Sequence, residues 1–185
     1  MSAASPTTFR MRLDVPAGLA ACSGCPDPLA YSSALDDVRS VFSDLCSVFA
    51  GQGGFNFVVA GFGEWRATVR TDLMVVLEQL PAILAALRTE QPAELDFFEQ
   101  GLQRTVWIRT AGGEVVLSCT SRLPSWTPPG DEIRMPRAEL ENMLKDLAQA
   151  FLDAASVACP GMASHPWLLA WANELTVRGH GKEEP

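Results

Sequence analysis

Hydrophobic and polar residues alternate in several short segments, and this pattern predicts half-buried β-strands. The first is FRMRLDV, residues 9–15, with apolar side chains on one face and charged ones on the other. Three more follow one another closely, at residues 94–100, 104–110 and 113–121. Gly112-Gly113, between the last two, is typical of a tight turn. The pattern therefore predicts an antiparallel meander in the second half of the chain.

Apolar residues at spacings of three and four predict amphipathic helices over residues 29–50, 73–88, 137–157 and 166–175. Pro28 lies near the start of the first, where proline is well tolerated. Thr71 and Asp72 have the side chains of N-cap residues and precede the second. Pro81 lies inside the second helix and predicts a kink or a break there, because proline cannot donate the intrahelical hydrogen bond.

The order of these segments predicts an α+β fold, with an antiparallel sheet and helices packed mainly on one face. Residues 55–62 and 64–70 add either one bent strand or two short paired strands. Residues 122–136 contain four prolines and predict a loop, with neither a helix nor a central strand. We expect a single domain over residues 1–175 and a mobile tail over residues 176–185.

Composition narrows the classes of partner. The chain has 185 residues and 48% hydrophobic residues, which suffices for a buried core without metal or disulfide bonds. Its 22 acidic and 14 basic residues give a formal net charge of -8. Such a charge repels nucleic acid and anionic lipid, and no apolar run approaches the length of a membrane span. The negative net charge favours a basic protein partner, or it only maintains solubility.

Five cysteines, an odd and scattered set, predict reduced thiols in a cytoplasmic protein. Cys22 and Cys25 match three patterns: a lipoprotein cleavage site, a redox dithiol and half of a zinc site. Asp14 and Pro16 interrupt the apolar segment that a lipoprotein signal needs. Residues 26–28 separate the pair from the next helix, and a zinc site would need two more ligands. A redox or metal-binding protein that uses Cys22 and Cys25 is thus the alternative function.

Signatures of catalysis are weak in this sequence. The glycine-rich segments at residues 51–57 and 60–65 do not match a phosphate-binding loop. Cys159 and His165 form the one plausible nucleophile and base, but a histidine before a proline at a helix start is more often a surface or capping residue. The sequence predicts a protein that is not an enzyme and needs no cofactor.

Acidic and tryptophan residues of the meander and the proline-rich loop predict a surface for binding a partner. An ordinary solvated sheet face, with cross-strand pairs to Arg104 and Arg109, would explain the same carboxylates. Trp126 has its own alternative, as a plug that holds the loop against the core. The candidate partner-binding residues are Glu94, Asp96, Glu99, Trp107, Trp126, Asp131 and Glu132.

The middle of the chain resembles small bacterial proteins, some of which are immunity proteins of toxin systems. The likeness lies in the layout of GEW at residues 63–65, TDL at 71–73, LP at 80–81 and the hairpin that ends in LSC at 117–119. It includes no functional motif. It implies a cytoplasmic, non-catalytic protein that binds and blocks one toxin, and the acidity agrees with a basic, nuclease-like toxin. A homodimer is also compatible with the sequence.

Overall fold

The computed structural model describes residues 8–99, 102–130 and 132–176. In chain order the elements are β1 (Arg10–Asp14), α1 (Val38–Gln52), β2 (Asn56–Ala60), a π-helical turn (Val69–Leu73), α2 (Met74–Arg88), β3 (Ala93–Phe97), β4 (Arg104–Ala111), β5 (Glu114–Ser121), β6 (Ile133–Pro136), α3 (Arg137–Ala158), α4 (Pro160–Ala163) and α5 (Pro166–Thr176). Strands β1 and β2 form a two-stranded antiparallel sheet, and β3 to β6 form an antiparallel meander in sequence order. The predicted α+β fold is confirmed.

A single hydrophobic core joins both sheets to the helices. Its centre is an aromatic cluster in which Phe42 of α1 lies 5.8 Å from Phe151 of α3 and 5.0 Å from Trp171 of α5, measured between ring centroids. These rings meet edge to face, which is a favourable arrangement for aromatic side chains. The inward-facing residues of the meander, including Phe97 and Val106, are fully buried. The helices therefore lie against the inner face of the meander.

The first helix is shorter than its apolar pattern predicted. It begins at Val38, because the carboxylate of Asp37 accepts the backbone N–H of Arg39 at 2.8 Å and caps the helix there. The segment before it consists of turns, and Leu29 and Leu35 are 88% exposed. The predicted start near Leu29 is wrong. The apolar spacing extends to residues before Asp37, but the helical hydrogen bonds begin only after this capping residue.

The strand predicted over residues 64–70 does not form. After β2 the backbone passes through three residues with positive φ, namely Gly61 at 98°, Phe62 at 51° and Gly63 at 85°. This turn moves the chain away from its strand partner, and the indole N–H of Trp65 donates to the carbonyl of Gly61 within it. Strand β2 therefore ends the two-stranded sheet.

The π-helical turn Val69–Leu73 directly precedes α2, so the helical segment starts before the predicted Leu73, and Thr68 caps it. The hydroxyl of Thr68 accepts the N–H of Thr71 at 3.3 Å, while the carboxylate of Asp72 accepts the N–H of Thr68 at 2.7 Å. In this reciprocal arrangement each side chain accepts a backbone N–H, as in a capping box. Thr71 and Asp72 lie within the π-helical turn, so they are not the N-cap residues themselves.

The second helix continues through Pro81, where the sequence predicted a kink or a break. A proline leaves the carbonyl four residues earlier without its intrahelical donor, and here that carbonyl belongs to Leu77. The indole Nε1 of Trp171 in α5 donates to this carbonyl at 2.9 Å. This hydrogen bond between α2 and α5 satisfies the oxygen, so the helix is not divided.

The free edge of β3 is closed by a side chain of α2. The amide of Gln79 donates to the carbonyl of Asp96 at 2.9 Å and accepts the N–H of Asp96 at 2.8 Å. These two bonds replace those of a neighbouring strand and hide the edge from other chains.

The proline-rich segment ends in a strand that the sequence did not predict. Strand β6 pairs with β5 at the edge of the meander, a position that tolerates the proline at its end. Helices α3 and α5 occupy their predicted positions, and the four-residue α4 between them was not predicted. Helix α5 extends to Thr176; residues 177–185 lie outside the described residues, so the predicted tail remains a prediction.

Candidate partner-binding face

The meander presents one face to the core and the other to solvent. The solvent side, called the outer face below, consists of alternate residues of the four strands, whereas the residues between them point into the core. Exposed side chains on the outer face include Glu94, Trp107, Arg109, Thr120 and Arg134. The outer face is therefore accessible to a partner.

Trp107 lies near the middle of the outer face. It pairs with Glu94 of β3 on one side and with Ser118 of β5 on the other. Its indole Nε1 donates to the hydroxyl of Thr120 at 3.0 Å, while 43% of the residue remains exposed. Trp107 thus combines a hydrogen bond within the sheet with an exposed apolar surface, as interface anchors commonly do.

Asp96 is held in a network of hydrogen bonds at one end of the outer face. Its Oδ1 accepts from the hydroxyl of Thr105 at 2.9 Å and from the guanidinium of Arg122 at 2.8 Å. Arg122 also donates to the hydroxyl of Thr105 at 3.1 Å. The charge of Asp96 is therefore compensated within the protein, as expected for a solvated sheet face. The expected pair with Arg104 is wrong, because Arg104 faces the core, and the partner of Asp96 is Arg122.

Glu132 is also paired. One of its carboxylate oxygens accepts from Arg109 and the other lies 3.7 Å from the guanidinium of Arg134. Arg109 is thus paired with a carboxylate, as expected for a solvated sheet face, but Glu132 precedes β6 and is not a cross-strand neighbour. Glu94 and Glu99, by contrast, form no ion pair with any residue that the structure describes. Glu94 is the exposed one and lies directly beside Trp107.

Trp126 does not belong to the outer face. Its ring packs against the guanidinium of Arg104, whose Cζ lies 3.4 Å from the ring centroid, and against Trp65 at 6.5 Å between centroids. Arg104 is in the row of β4 that faces the core and donates to the carbonyl of Glu64 at 2.6 Å. Trp126 is therefore the plug of its loop, which was the alternative explanation, and Trp107 and Trp126 do not share a face.

Arg104 is an unusual buried cation. The residue is 8% exposed, and burial lowers the pKa of its guanidinium. Its Nε is buried without a hydrogen-bond partner. The rings of Trp65 and Trp126 supply cation–π contacts, at 4.8 and 3.4 Å from the guanidinium carbon. Asp131, the remaining candidate from this loop, lies outside the described residues.

The cysteines are paired differently from the sequence prediction. Cys25 forms a disulfide with Cys159, whose Cα lies 5.7 Å away and which is 134 positions later in the chain. Cys22 stays a free thiol, and its backbone N–H donates to the carbonyl of Ala158 at 2.8 Å. The prediction that the cysteines are unpaired is therefore wrong in this structure, and Cys22 and Cys25 are not bonded to each other. Spacing along the chain cannot reveal that the segment before α1 folds onto the end of α3.

The remaining thiols and His165 are parts of the packing. Burial raises the pKa of Cys46 to about 12 and that of Cys119 to about 11, so both stay protonated at neutral pH. The ring of His165 accepts the N–H of Trp167 at Nδ1 and contacts Tyr31 edge-on. Within residues 8–99, 102–130 and 132–176 no three His, Cys, Asp or Glu side chains are grouped for a metal ion.

A second acidic surface was not found from the sequence. Asp36, Asp37, Glu78 and Glu174 line a cleft of about 840 Å³ between α1, α2 and α5, together with Trp167. Asp36 and Asp37 are neighbours in sequence, but Glu78 and Glu174 lie far from them along the chain, so sequence spacing does not reveal the cluster. Helix periodicity places each of these carboxylates on a polar face, but it does not show that the polar faces lie close together in the fold.

No known protein family, curated protein or solved structure matches this chain. No helix in the part of the chain that the structure describes is long and apolar enough to span a membrane.

Proposed function

We propose that this chain is a non-catalytic acidic protein that binds a basic protein through its outer face. The proposal takes the form of a bacterial immunity protein that neutralises a cognate, nuclease-like toxin, as the resemblance in layout implies. The observation that carries it is the exposed indole of Trp107, fixed near the middle of an accessible sheet face.

Trp107 has the chemistry of an energetic anchor. Tryptophan is enriched among the few interface residues whose truncation costs about 2 kcal/mol or more. The bond to Thr120 orients the indole before binding, so little side-chain freedom remains to be lost in a complex. The paired charges around it, Asp96 with Arg122 and Glu132 with Arg109, form a polar rim.

Unpaired carboxylates supply the preference for a basic partner. Glu94 lies beside Trp107, and Glu114 is exposed at the start of β5. Neither forms an ion pair with a described residue. With a net charge of -8, the protein attracts basic partners over long range and increases their rate of association.

The immunity function implies a cytoplasmic location, and the disulfide opposes it. Disulfides are rare in cytosolic proteins because glutathione and thioredoxin keep thiols reduced. Alkylation of Cys25 and Cys159 in intact cells, followed by mass spectrometry, distinguishes a cytoplasmic location from an oxidising compartment. A cytoplasmic protein has both thiols alkylated, whereas a protein of an oxidising compartment retains the Cys25–Cys159 bond.

The proposal is tested by native mass spectrometry of the protein isolated gently from its own cells. The expected spectrum contains a complex with one basic protein at a fixed ratio. A chain that carries a metal ion or lipid and has no protein partner contradicts the proposal. The same spectrum distinguishes a homodimer by its mass.

The position of Cys22 supports a second candidate, a thiol switch. Cys22 is half-buried and lies against the end of α3, next to the Cys25–Cys159 bond. A Cys22 thiolate, after losing its proton to solvent, attacks the sulfur of Cys25 and forms a Cys22–Cys25 disulfide. The bond to Cys159 breaks, and Cys159 leaves as a thiolate that takes up a proton. Peptide mapping without reductant after incubation at pH 8 tests this step, because it detects either disulfide directly.

A further inference from the structure

A cavity of about 340 Å³ lies at the end of the meander where strand β4 begins. Arg104, the first residue of β4, lines this cavity together with Trp126 of the proline-rich loop. The volume is at the lower end of the range of about 300–1,000 Å³ that is common for ligand sites. The cavity is therefore large enough for one small molecule.

The guanidinium of Arg104 is incompletely bonded within the protein. Its Nη1 donates to the carbonyl of Glu64 at 2.6 Å, and its Nε is buried without a hydrogen-bond partner. Its Nη2 forms no hydrogen bond with any described residue and, unlike Nε, is not fully enclosed. Arg104 is buried, yet it forms no ion pair with a described carboxylate. It thus lacks the counter-ion that a buried arginine usually has.

The aromatic rings around Arg104 supply no acceptor oxygen. The ring centroids of Trp126 and Trp65 lie 3.4 and 4.8 Å from its Cζ. Such cation–π contacts compensate part of the charge, but contacts of N–H groups with a ring are weaker than hydrogen bonds to oxygen. An anion that brings an oxygen to Nη2 therefore gains a charge-assisted hydrogen bond at a cation that folding has already removed from water.

The charges that line the cavity favour an anion. Glu64 and Arg66 form an ion pair with 3.3 Å between Oε1 and Nε, and both side chains are largely exposed. Because these two charges cancel, Arg104 leaves the lining with a net positive charge. The net charge of -8 on the whole protein opposes an anion mainly at long range, because salt at about 0.15 M screens charges beyond about 8 Å.

The remaining walls define the rest of the ligand. Leu102 is buried, and Leu123 and Trp126 are half-buried, so the three side chains offer apolar surface. Ser125 also lines the cavity, and its hydroxyl forms no hydrogen bond with a described residue. A doubly charged anion would have one charge without a cation, because only Arg104 is unpaired here. An anion with a single charge and a compact apolar body complements these walls.

We propose that this cavity binds a small monocarboxylate. One carboxylate oxygen accepts a hydrogen bond from Nη2 of Arg104, and the other accepts from the hydroxyl of Ser125. The apolar body of the ligand lies against Leu123 and Trp126. The cavity shares no residue with the outer face around Trp107, so this site does not depend on the proposed function.

Phenylacetate is a suitable probe, because it combines one carboxylate with a compact apolar ring. Its uncharged counterpart phenylacetamide and inorganic phosphate serve as control probes. Binding at neutral pH is followed by the NMR signals of the Arg104 guanidinium N–H groups and the Trp126 indole N–H. We expect phenylacetate to shift these signals with a Kd of about 0.1–5 mM. Each control probe should bind at least about tenfold more weakly.

Two variants test the named donors. Arg104→Lys keeps the positive charge but removes Nη2, and it should weaken phenylacetate binding about tenfold or more. Arg12→Lys, the matched control, makes the same change at an exposed position of β1 outside the cavity and should bind as the wild type does. Ser125→Ala removes the second donor at an exposed loop position, so the fold should be kept and binding should weaken about threefold to tenfold.

Several results would overturn the proposal. Equal affinities for phenylacetate and phenylacetamide would show an apolar pocket that does not use the charge of Arg104. Tighter binding of phosphate would assign another class of anion to the cavity. Unchanged Arg104 and Trp126 signals at about 20 mM phenylacetate, or wild-type affinity in Arg104→Lys, would make Arg104 a purely structural cation. If Arg104→Lys does not fold, the three probes on the wild type and the Ser125→Ala variant decide the question.

Discussion

The Cys25–Cys159 disulfide gives the largest predicted effect on stability. It closes a loop of 134 residues, which is most of the chain. The chain-entropy relation for a loop of this length gives about 5 kcal/mol, and the usual range for native disulfides is about 2–5 kcal/mol. For a domain of this size, such a loss lowers the melting temperature by about 5–13 °C.

The variants must keep Cys22 from replacing a missing partner. Cys22 lies against Ala158, next to Cys159, so a single Cys25→Ser substitution leaves two thiols close enough to pair. The proper comparison is Cys22→Ser with the double variant Cys22→Ser/Cys25→Ser. The first keeps the disulfide, and the second removes it.

Urea unfolding without reductant measures the difference between these two proteins. We expect the double variant to be about 2–5 kcal/mol less stable, and reductant to bring the Cys22→Ser protein down to the same value. Equal stability without reductant, together with an alkylated Cys25 in the Cys22→Ser protein, would refute the reasoning. That result would mean that the bond does not form in solution.

Three smaller predictions concern buried polar groups. Gln79→Leu should lower the free energy of unfolding by about 1–3 kcal/mol, because the backbone N–H and C=O of Asp96 both lose their partner. The backbone amide of Asp96 should then exchange hydrogen faster, and an unchanged exchange rate argues against closure of the β3 edge by Gln79. Arg104→Ala should cost about 2–4 kcal/mol in urea unfolding, from lost cation–π contacts and a charged hydrogen bond, and a loss under about 1 kcal/mol contradicts this. Burial raises the thiol pKa of Cys46 from 9.0 to about 12, so above pH 9 the unfolded chain ionises first and stability falls. Cys46→Val should show a weaker decline between pH 8 and 10, and an equal decline assigns it to other groups.

The sequence was sufficient for the elements whose pattern is local. The alternation over residues 94–121 identified three of the four strands of the meander, β3 to β5. Sequence periodicity failed where a single contact decides where a helix begins or whether it continues. Asp37 caps the start of α1 inside an apolar pattern that extends to earlier residues. Trp171 donates a hydrogen bond to the carbonyl that Pro81 leaves without an intrahelical donor. These contacts depend on neighbours that periodicity does not show.

The candidate site was predicted in part for the same reason. Strand alternation placed Trp107 on an exposed face, because its neighbours in β4 are apolar. Trp126 lies in a loop without periodicity, so its packing on Arg104 could not be derived. The Cys25–Cys159 bond and the acidic cleft between α1, α2 and α5 both depend on how distant segments meet. Sequence spacing carries no information on such meetings.

The most direct test of the outer face is the affinity of Trp107→Ala for the basic protein recovered in the native complex. Leu169→Ala is the matched control, because Leu169 is 49% exposed on α5, away from the outer face. Isothermal titration should show that Trp107→Ala binds about 30-fold to 1,000-fold more weakly, while Leu169→Ala and the wild type bind alike. Equal affinities of all three proteins, with unchanged urea midpoints, would contradict binding through the outer face.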